Sequence, residues 1–218
     1  MTKTVAVIGG TGNEGPGLAR RWAQSGNYKV IIGSRQAEKA ERVAAELNEQ
    51  LGENLLQGMD NEAAAQAADL AVLTVPYSAQ APTLAGLKDA LQGKVLVDVT
   101  VPLKPPKVSH VNVPEGGSAG KEAQAILGED VRVVSAFQNV GAAHLGDGHD
   151  RIDCDVLVCG DDKAAKAEAI ALAEAAGMRG IDAGPLQNSV VVEGFTSVLI
   201  GINIRHKVKG AGIKITGI

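Results

Sequence analysis

Three glycines, Gly10, Gly12 and Gly15, stand in the spacing G-x-G-x-x-G, with Gly9 and Gly17 beside them. Each suits a separate task in a turn that receives an anion. Gly10 permits a tight bend, Gly12 lets a pyrophosphate approach the backbone, and Gly15 lets the next helix lie close to the strand. Thr11, Asn13 and Glu14 complete the turn. Amides at the N-terminus of the helix that follows point at the bound phosphate. The second group is Ser34, Arg35 and Lys39. An NAD site places Asp or Glu at the end of its second strand, to accept hydrogen bonds from the ribose 2′-OH. This chain has Ile31-Ile32-Gly33-Ser34-Arg35 and no acid before Glu38. A guanidinium forms forked, charge-assisted bonds to phosphate, Ser34 adds a donor, and Lys39 lies one helical turn further on. Two cations and a hydroxyl at this place point to the 2′-phosphate of NADP. The blander alternative has Arg35 and Lys39 solvated and paired with Glu38 and Glu41.

A strand, a turn, a helix and a second strand must hold these groups in that order. The stretch Thr4–Arg35 supplies them within about thirty residues, the length of a dinucleotide-binding βαβ unit. Thr4–Ile8 is a β-branched apolar run of the kind that forms buried parallel strands. A helix is expected over Gln36–Leu51, with Ala40, Val43, Ala44, Leu47 and Leu51 along one stripe and Gly52 as its stop. Leu55-Leu56 reads as a short strand, and Asn61 as the cap of an alanine-rich helix through Ala68. Strands at Leu70–Val75 and Lys94–Val99 flank a helix at Ser78–Leu91. Alternation at these lengths predicts a parallel, doubly wound sheet.

Ligands of such sheets lie beyond the carboxyl ends of the strands. Val75, Pro76 and Thr100-Val101-Pro102 are therefore expected to line the nicotinamide half of the site. Leu103–Gly117 has no period, and a loop this long inside a compact domain is usually functional or mobile. Ser118 can cap a helix to Leu127, and Val131–Phe137 reads as a sixth strand. A further β-α-β pattern follows at Cys154–Gly160, Lys163–Ala176 and Arg179–Asp182, then an apolar helix at Asn188–Arg205.

The 218 residues allow one large domain or a domain plus a small one, with no linker between the parts. Net charge is −4 and aromatics make up 2%, which argues against a nucleic-acid surface with a basic face and stacking rings. No signal peptide is expected before the first strand, and Val198–Ile204 is too short to span a bilayer. Cys154 and Cys159 have neither disulfide nor zinc spacing and read as small buried hydrophobes of a reducing, cytoplasmic protein. His144, Asp147, His149 and Asp150 could hold a metal, but a polar Gly-rich turn is the simpler reading. After Glu193 the chain has no acid, while Arg205, Lys207, Lys209 and Lys214 follow. These cations either serve the helix dipole or form an anion site.

The chain resembles the coenzyme F420-dependent NADP oxidoreductases. The resemblance runs over nearly its whole length, through Val7–Ala19, Ile31–Ala40, Asp69–Tyr77, Val133–Phe137, Asp155–Asp162, Asp182–Ser189 and the terminal GIKITGI. It implies hydride transfer between the nicotinamide C4 of NADP(H) and C5 of the deazaflavin. It also implies a Rossmann NADP-binding domain over residues 1–137 and a smaller C-terminal α+β domain over 138–218. That second part would complete the deazaflavin site and carry a homodimer interface. Thr11, Gly12 and Asn13 would hold the phosphates, and Ser34, Arg35 and Lys39 the 2′-phosphate. Val75 and Pro76 would flank the nicotinamide. Phe137, Gln138, Asn139 and Val140 would face the deazaflavin, whose anionic tail suits Lys207 and Lys209. Members of that family often carry His where Gln138 stands, so the departure falls on the deazaflavin contact. No catalytic acid, nucleophile or metal is required, because hydride passes directly between two aligned rings. The alternatives are an NADP-dependent imine or keto-acid reductase, which usually needs a proton donor and a longer helical partner, and a non-enzymatic NADP sensor.

Overall fold

The apolar runs pair side by side into one twisted sheet with helices on both faces. A computed structural model describes residues 2–146 and 151–218. In chain order the first half holds β1 (Lys3–Ile8), α1 (Gly15–Gln24), β2 (Tyr28–Ser34), α2 (Ala37–Leu51), β3 (Leu56–Asp60), α3 (Asn61–Ala67), β4 (Leu70–Leu73), α4 (Tyr77–Leu91) and β5 (Val95–Asp98). The second half holds α5 (Ala119–Leu127), β6 (Arg132–Ser135), α6 (Ala142–Leu145), β7 (Asp155–Gly160), α7 (Lys163–Ala175), β8 (Arg179–Asp182) and α8 (Ser189–His206), with a 3₁₀ turn at Leu186–Asn188. The strand order is β3-β2-β1-β4-β5-β6-β7-β8. β1 pairs in parallel with both β2 and β4, so the order reverses direction at β1, where such sheets open a crevice for a ligand.

The two faces of the sheet bury separate cores. Leu18 and Trp22 of α1, Leu47 of α2 and Leu172 of α7 cover one face. Ala64 and Ala65 of α3, Leu84 and Leu91 of α4, and Leu127 of α5 cover the other. Trp22 is fully buried and donates from Nε1 to the Leu172 carbonyl at 2.8 Å, joining α1 to α7. Its ring meets Phe137 edge-on at 5.9 Å. Truncating a side chain in such a setting costs about 3–5 kcal/mol.

The sheet departs from all-parallel pairing at β6 and β7, which run antiparallel through Val134↔Gly160 and Ser135↔Cys159. The reason is α6, a single turn that stays beside the N-terminal part of α1 and makes no crossover. Arg21 holds it by donating to the carbonyls of His144 and Leu145. The chain therefore re-enters beyond the carboxyl end of β6 and runs back. Only two residues of β7 reach β6, so its opening residues face the C-terminal segment instead. There the Asp155 N–H donates to the Ile213 carbonyl at 2.8 Å and the Ile215 N–H to the Asp155 carboxylate at 2.6 Å. Arg179 forks onto that carboxylate at 2.9 and 2.6 Å and holds it below its ordinary range.

Local expectations hold with two corrections. Gly52 ends α2 in the left-handed region and Ser118 caps α5 through the Lys121 N–H, both as the sequence indicates. Asp60, not Asn61, caps α3, accepting from the Ala63 N–H at 2.9 Å because its backbone is extended while Asn61 is already helical. Strand pairing also stops earlier than the apolar runs, at Leu73 and Ser135.

Candidate active site

The three motif glycines differ in what closes around them. The Gly10 N–H is shared between the carbonyls of Val7, at 3.1 Å, and Gly33, at 2.9 Å, which locks the end of β1 to β2. A Cβ on Gly10 would lie 2.7 Å from the Val7 oxygen, and one on Gly15 would lie 2.6 Å from Gly10 Cα. Both positions are closed by the protein itself. At Gly12 the nearest atom would be 3.6 Å away, an ordinary contact. Its side is open to the cleft, which is the space an approaching phosphate needs. Gly9 is the tightest of the group, with φ +70° and a Cβ that would fall 2.3 Å from Val75 Cγ1. Asn13 is exposed. Glu14 caps α1 without a side-chain bond, and burial pushes its carboxyl up to about 7.

Beside the turn lies a cleft of about 600 Å³. Thr11 and Gly12 form one side, Ser34, Arg35 and Lys39 another, and Val75 and Pro76 a third. Ser34 is buried and its Oγ accepts from the Gln36 N–H at 3.3 Å, leaving its own proton free to be donated. Arg35 and Lys39 are exposed, and among the described residues neither enters a salt bridge, so the pairing with Glu38 and Glu41 is not made. Val101 does not line this cleft.

Several lining residues escape a sequence reading. Ala79 and Thr83 of α4 join Pro76 on the cleft wall. Their i, i+3, i+7 spacing is the signal that could have found them. Thr74 follows β4 and donates from Oγ1 to the Ile8 carbonyl at 3.1 Å. Asn61 also reaches the cleft, where its Oδ1 accepts from the Gly9 N–H at 3.1 Å. No local pattern announces that contact, which joins residues far apart in the chain.

The segment after β6 turns its side chains inward. Phe137 has φ 73°, rare for a residue with a side chain, and its ring is buried against Trp22. Gln138 Nε2 donates to the Asp98 carbonyl at 2.7 Å and to Ser135 Oγ at 2.8 Å. Asn139 Nδ2 donates to the Asp155 carbonyl at 2.6 Å. Val140 is buried with them. Thr196 Oγ1 donates to the Gln138 carbonyl at 2.7 Å and so fastens the segment to α8. Lys207 and Lys209 are exposed at the end of α8. The chain just beyond them returns to α6, with His144 Nε2 2.9 Å from the Gly210 carbonyl.

Two buried carboxylates brace the same region. Asp98 accepts from Gln80 Nε2 at 2.6 Å and from the Thr100 N–H at 2.9 Å. Burial raises its carboxyl to about 6 against the opposing pull of Thr100 and Gln80. Glu193 of α8 receives the Ala119 and Gly120 N–H groups at 2.7 and 3.0 Å, and burial raises it to about 7. The long loop between β5 and α5 is pinned by Glu122, which accepts from Tyr77 OH at 2.8 Å and from the Gly116 N–H at 3.1 Å. Tyr77 is pushed up to about 12 by burial and by that bond. Among the described residues no group of His, Cys, Asp and Glu comes together as a metal site. Asp147, His149 and Asp150 lie outside the described residues. Among the described residues no helix is long and apolar enough to cross a membrane.

The reversal of strand order at β1, the open glycine, and Arg35 just past β2 with Lys39 in the first turn of α2, neither in a salt bridge among the described residues, define a dinucleotide-binding protein of the Rossmann type. Residues 4–102 match the family described as NADP oxidoreductase, coenzyme F420-dependent. The chain is 43% identical to the F420-dependent NADP reductase of Methanocaldococcus jannaschii, with 98% of each chain covered. It is 42% identical to that of Methanothermobacter thermautotrophicus, over 100% of this chain and 97% of the other. The chain belongs to the F420-dependent NADP reductase family. A crystal structure of a candidate F420-dependent NADP reductase from Arthrobacter sp. FB24 superposes with a TM-score of 0.80 at 27% identity, covering 98% and 99% of the two chains. A pyrroline-5-carboxylate reductase from Coxiella burnetii shares the fold, with a TM-score of 0.63 at 18% identity over 94% of this chain and 69% of the other.

Proposed function

We propose that this protein transfers a hydride between NADP(H) and coenzyme F420. The observation that carries the reading is the cleft itself, in which the open Gly12 turn, the unpaired Arg35 and Lys39 and the Val75–Pro76 wall occur together. Full-length relatives named for this activity support it. Thr11, Gly12 and Asn13 hold the pyrophosphate on the first turn of α1, where Gly10, Glu14 and Gly15 shape the backbone. Ser34, Arg35 and Lys39 receive the 2′-phosphate. Val75 and Pro76 give the nicotinamide an apolar wall that excludes water from one side. The chemistry needs the two rings face to face and close, so the protein's contribution is alignment. No side chain has to give or take a proton at the reacting carbons.

Residues 138–218 act as the part that completes the deazaflavin site and joins subunits. Phe137, Gln138, Asn139 and Val140 support that site, with the Gln138 and Asn139 amide nitrogens held by protein acceptors and their side-chain oxygens left without a partner among the described residues. Lys207 and Lys209 supply exposed charge for the anionic tail of the deazaflavin. A homodimer is favoured by α8, which is apolar on nearly every side. A helix of that kind is normally buried, yet Val191, Val198 and Ile204 are 59%, 42% and 65% exposed. A second copy of the chain covers them. The free thiols of Cys154 and Cys159 fit a reducing cytoplasm.

The test is the purified protein mixed with NADPH and oxidised coenzyme F420. Loss of deazaflavin absorbance in step with NADPH oxidation is the expected result. An unchanged deazaflavin spectrum, with NADPH consumed by an imine or keto acid, would move the assignment to that class.

A further inference from the structure

Asn61 has a geometry that a helix cap does not need. Its carboxamide sits between the ends of β1 and β2. Oδ1 accepts from the Gly9 N–H at 3.1 Å, and a Cβ on Gly33 would come within 2.9 Å of that oxygen. The backbone N–H can be met only by the oxygen end, so the orientation of the amide is set by its partner. The two N–H donors on Nδ2 are left without a protein acceptor among the described residues. Asn61 lines the same cleft as Ser34, Arg35 and Lys39.

We infer that Asn61 is a specificity residue for the phosphorylated ribose of NADP, its Nδ2 donating to an oxygen of that group. The inference rests on the NADP reading of the cleft. A phosphate only accepts hydrogen bonds from such a donor, whereas a free 2′-hydroxyl is the group that a carboxylate at this place would recognise. Asn61 thus does two things with one side chain. Its oxygen steadies the phosphate turn through Gly9, and its nitrogen adds a neutral donor to the cationic pair. The Gly33 position is explained as well, because a side chain there would displace the carboxamide.

Asn61→Asp separates the two tasks, since it keeps an oxygen for the Gly9 N–H and replaces the donor with an acceptor. Asn61→Ser removes the donor's reach without adding charge. Binding of adenosine 2′,5′-bisphosphate and of 5′-AMP to the full-length chain is measured by calorimetry, with no deazaflavin present. Wild type should prefer the bisphosphate. Asn61→Asp should bind it roughly ten- to a hundredfold more weakly, with 5′-AMP unchanged or tighter, and Asn61→Ser, which also gives up the bond to the Gly9 N–H, should weaken both ligands but the bisphosphate several-fold more. Equal loss on both ligands in either variant, or no loss, would overturn the inference and leave Asn61 as a prop for the turn. Should Asn61→Asp fail to fold, Asn61→Ser decides by the same criterion. A wild type that does not distinguish the two ligands would instead count against the NADP reading.

Discussion

At the scale of single residues, the proposed NADP reading gives Arg35 the choice of nucleotide. It is exposed at the mouth of the cleft and makes no ion pair among the described residues, so its charge is available to a ligand. Arg35→Ala should raise the NADPH KM roughly ten- to a hundredfold and leave NADH nearly unchanged, because a charged hydrogen bond of this kind contributes about 1.5–3 kcal/mol. Steady-state kinetics with both nucleotides checks this. The glycines give a second contrast. Gly12→Ala should fold with near wild-type stability and bind nucleotide poorly, since its Cβ meets nothing closer than 3.6 Å. Gly15→Ala should instead lower the melting temperature, because its Cβ would lie 2.6 Å from Gly10 Cα. Thermal melts with and without NADPH separate the two effects. The motif alone gives both glycines a role, but only the packing separates the glycine that faces open space from the one closed by the protein.

At the scale of elements, the sequence made the local units legible and left their partners hidden. Continuous apolar runs mark β1, β2, β4 and β5, and Gly52 and Ser118 mark helix ends, because those signals act within a few residues. The antiparallel turn of β7 depends on α6 staying beside α1, which rests on Arg21 and two carbonyls more than a hundred residues away. Asn61 was hidden for the same reason. Val131–Phe137 reads as one strand, yet β6 ends at Ser135: the Ala136 N–H still donates to the Asp98 carbonyl at 3.2 Å, while Phe137 turns away at φ 73° and buries its ring against Trp22. Gln138 follows from that early stop. Its side chain ties β5 to β6, so Gln138→Ala should cost about 1–3 kcal/mol of stability through the lost bonds. Hydride transfer should slow with it, through misplacement of the segment. Chemical denaturation and single-turnover rates at saturating cofactors measure the two effects, and a full-speed variant with reduced stability would confine Gln138 to the fold.

At the scale of the whole molecule, α8 and its buried glutamate connect the outer face to the site. On the proposed homodimer, Val198→Glu should shift the particle to monomer in light scattering, because an unpaired charge is costly to bury in an apolar interface, and a wild type that is already monomeric would remove that part of the proposal. Asp98 and Glu193 bear on stability. Both carboxyls titrate higher in the folded chain than in the unfolded one, at about 6 and about 7. The folded state therefore holds extra protons between about pH 4 and pH 7, and stability from these groups is lost as pH rises through that range. Asp155, lowered by Arg179, behaves oppositely and matters only at more acid pH. The denaturation midpoint should fall from about pH 5 to pH 8, and Glu193→Gln should flatten the slope. The packing at Gly9 has a different consequence. With Val75 on one side and the Asn61 carboxamide on the other, the glycine turn and the Val75–Pro76 wall pack as one unit through the protein's own contacts. On the proposed NADP reading, the entropy of ordering that part of the cleft is spent during folding rather than at encounter, so nucleotide affinity should report contact more than rearrangement.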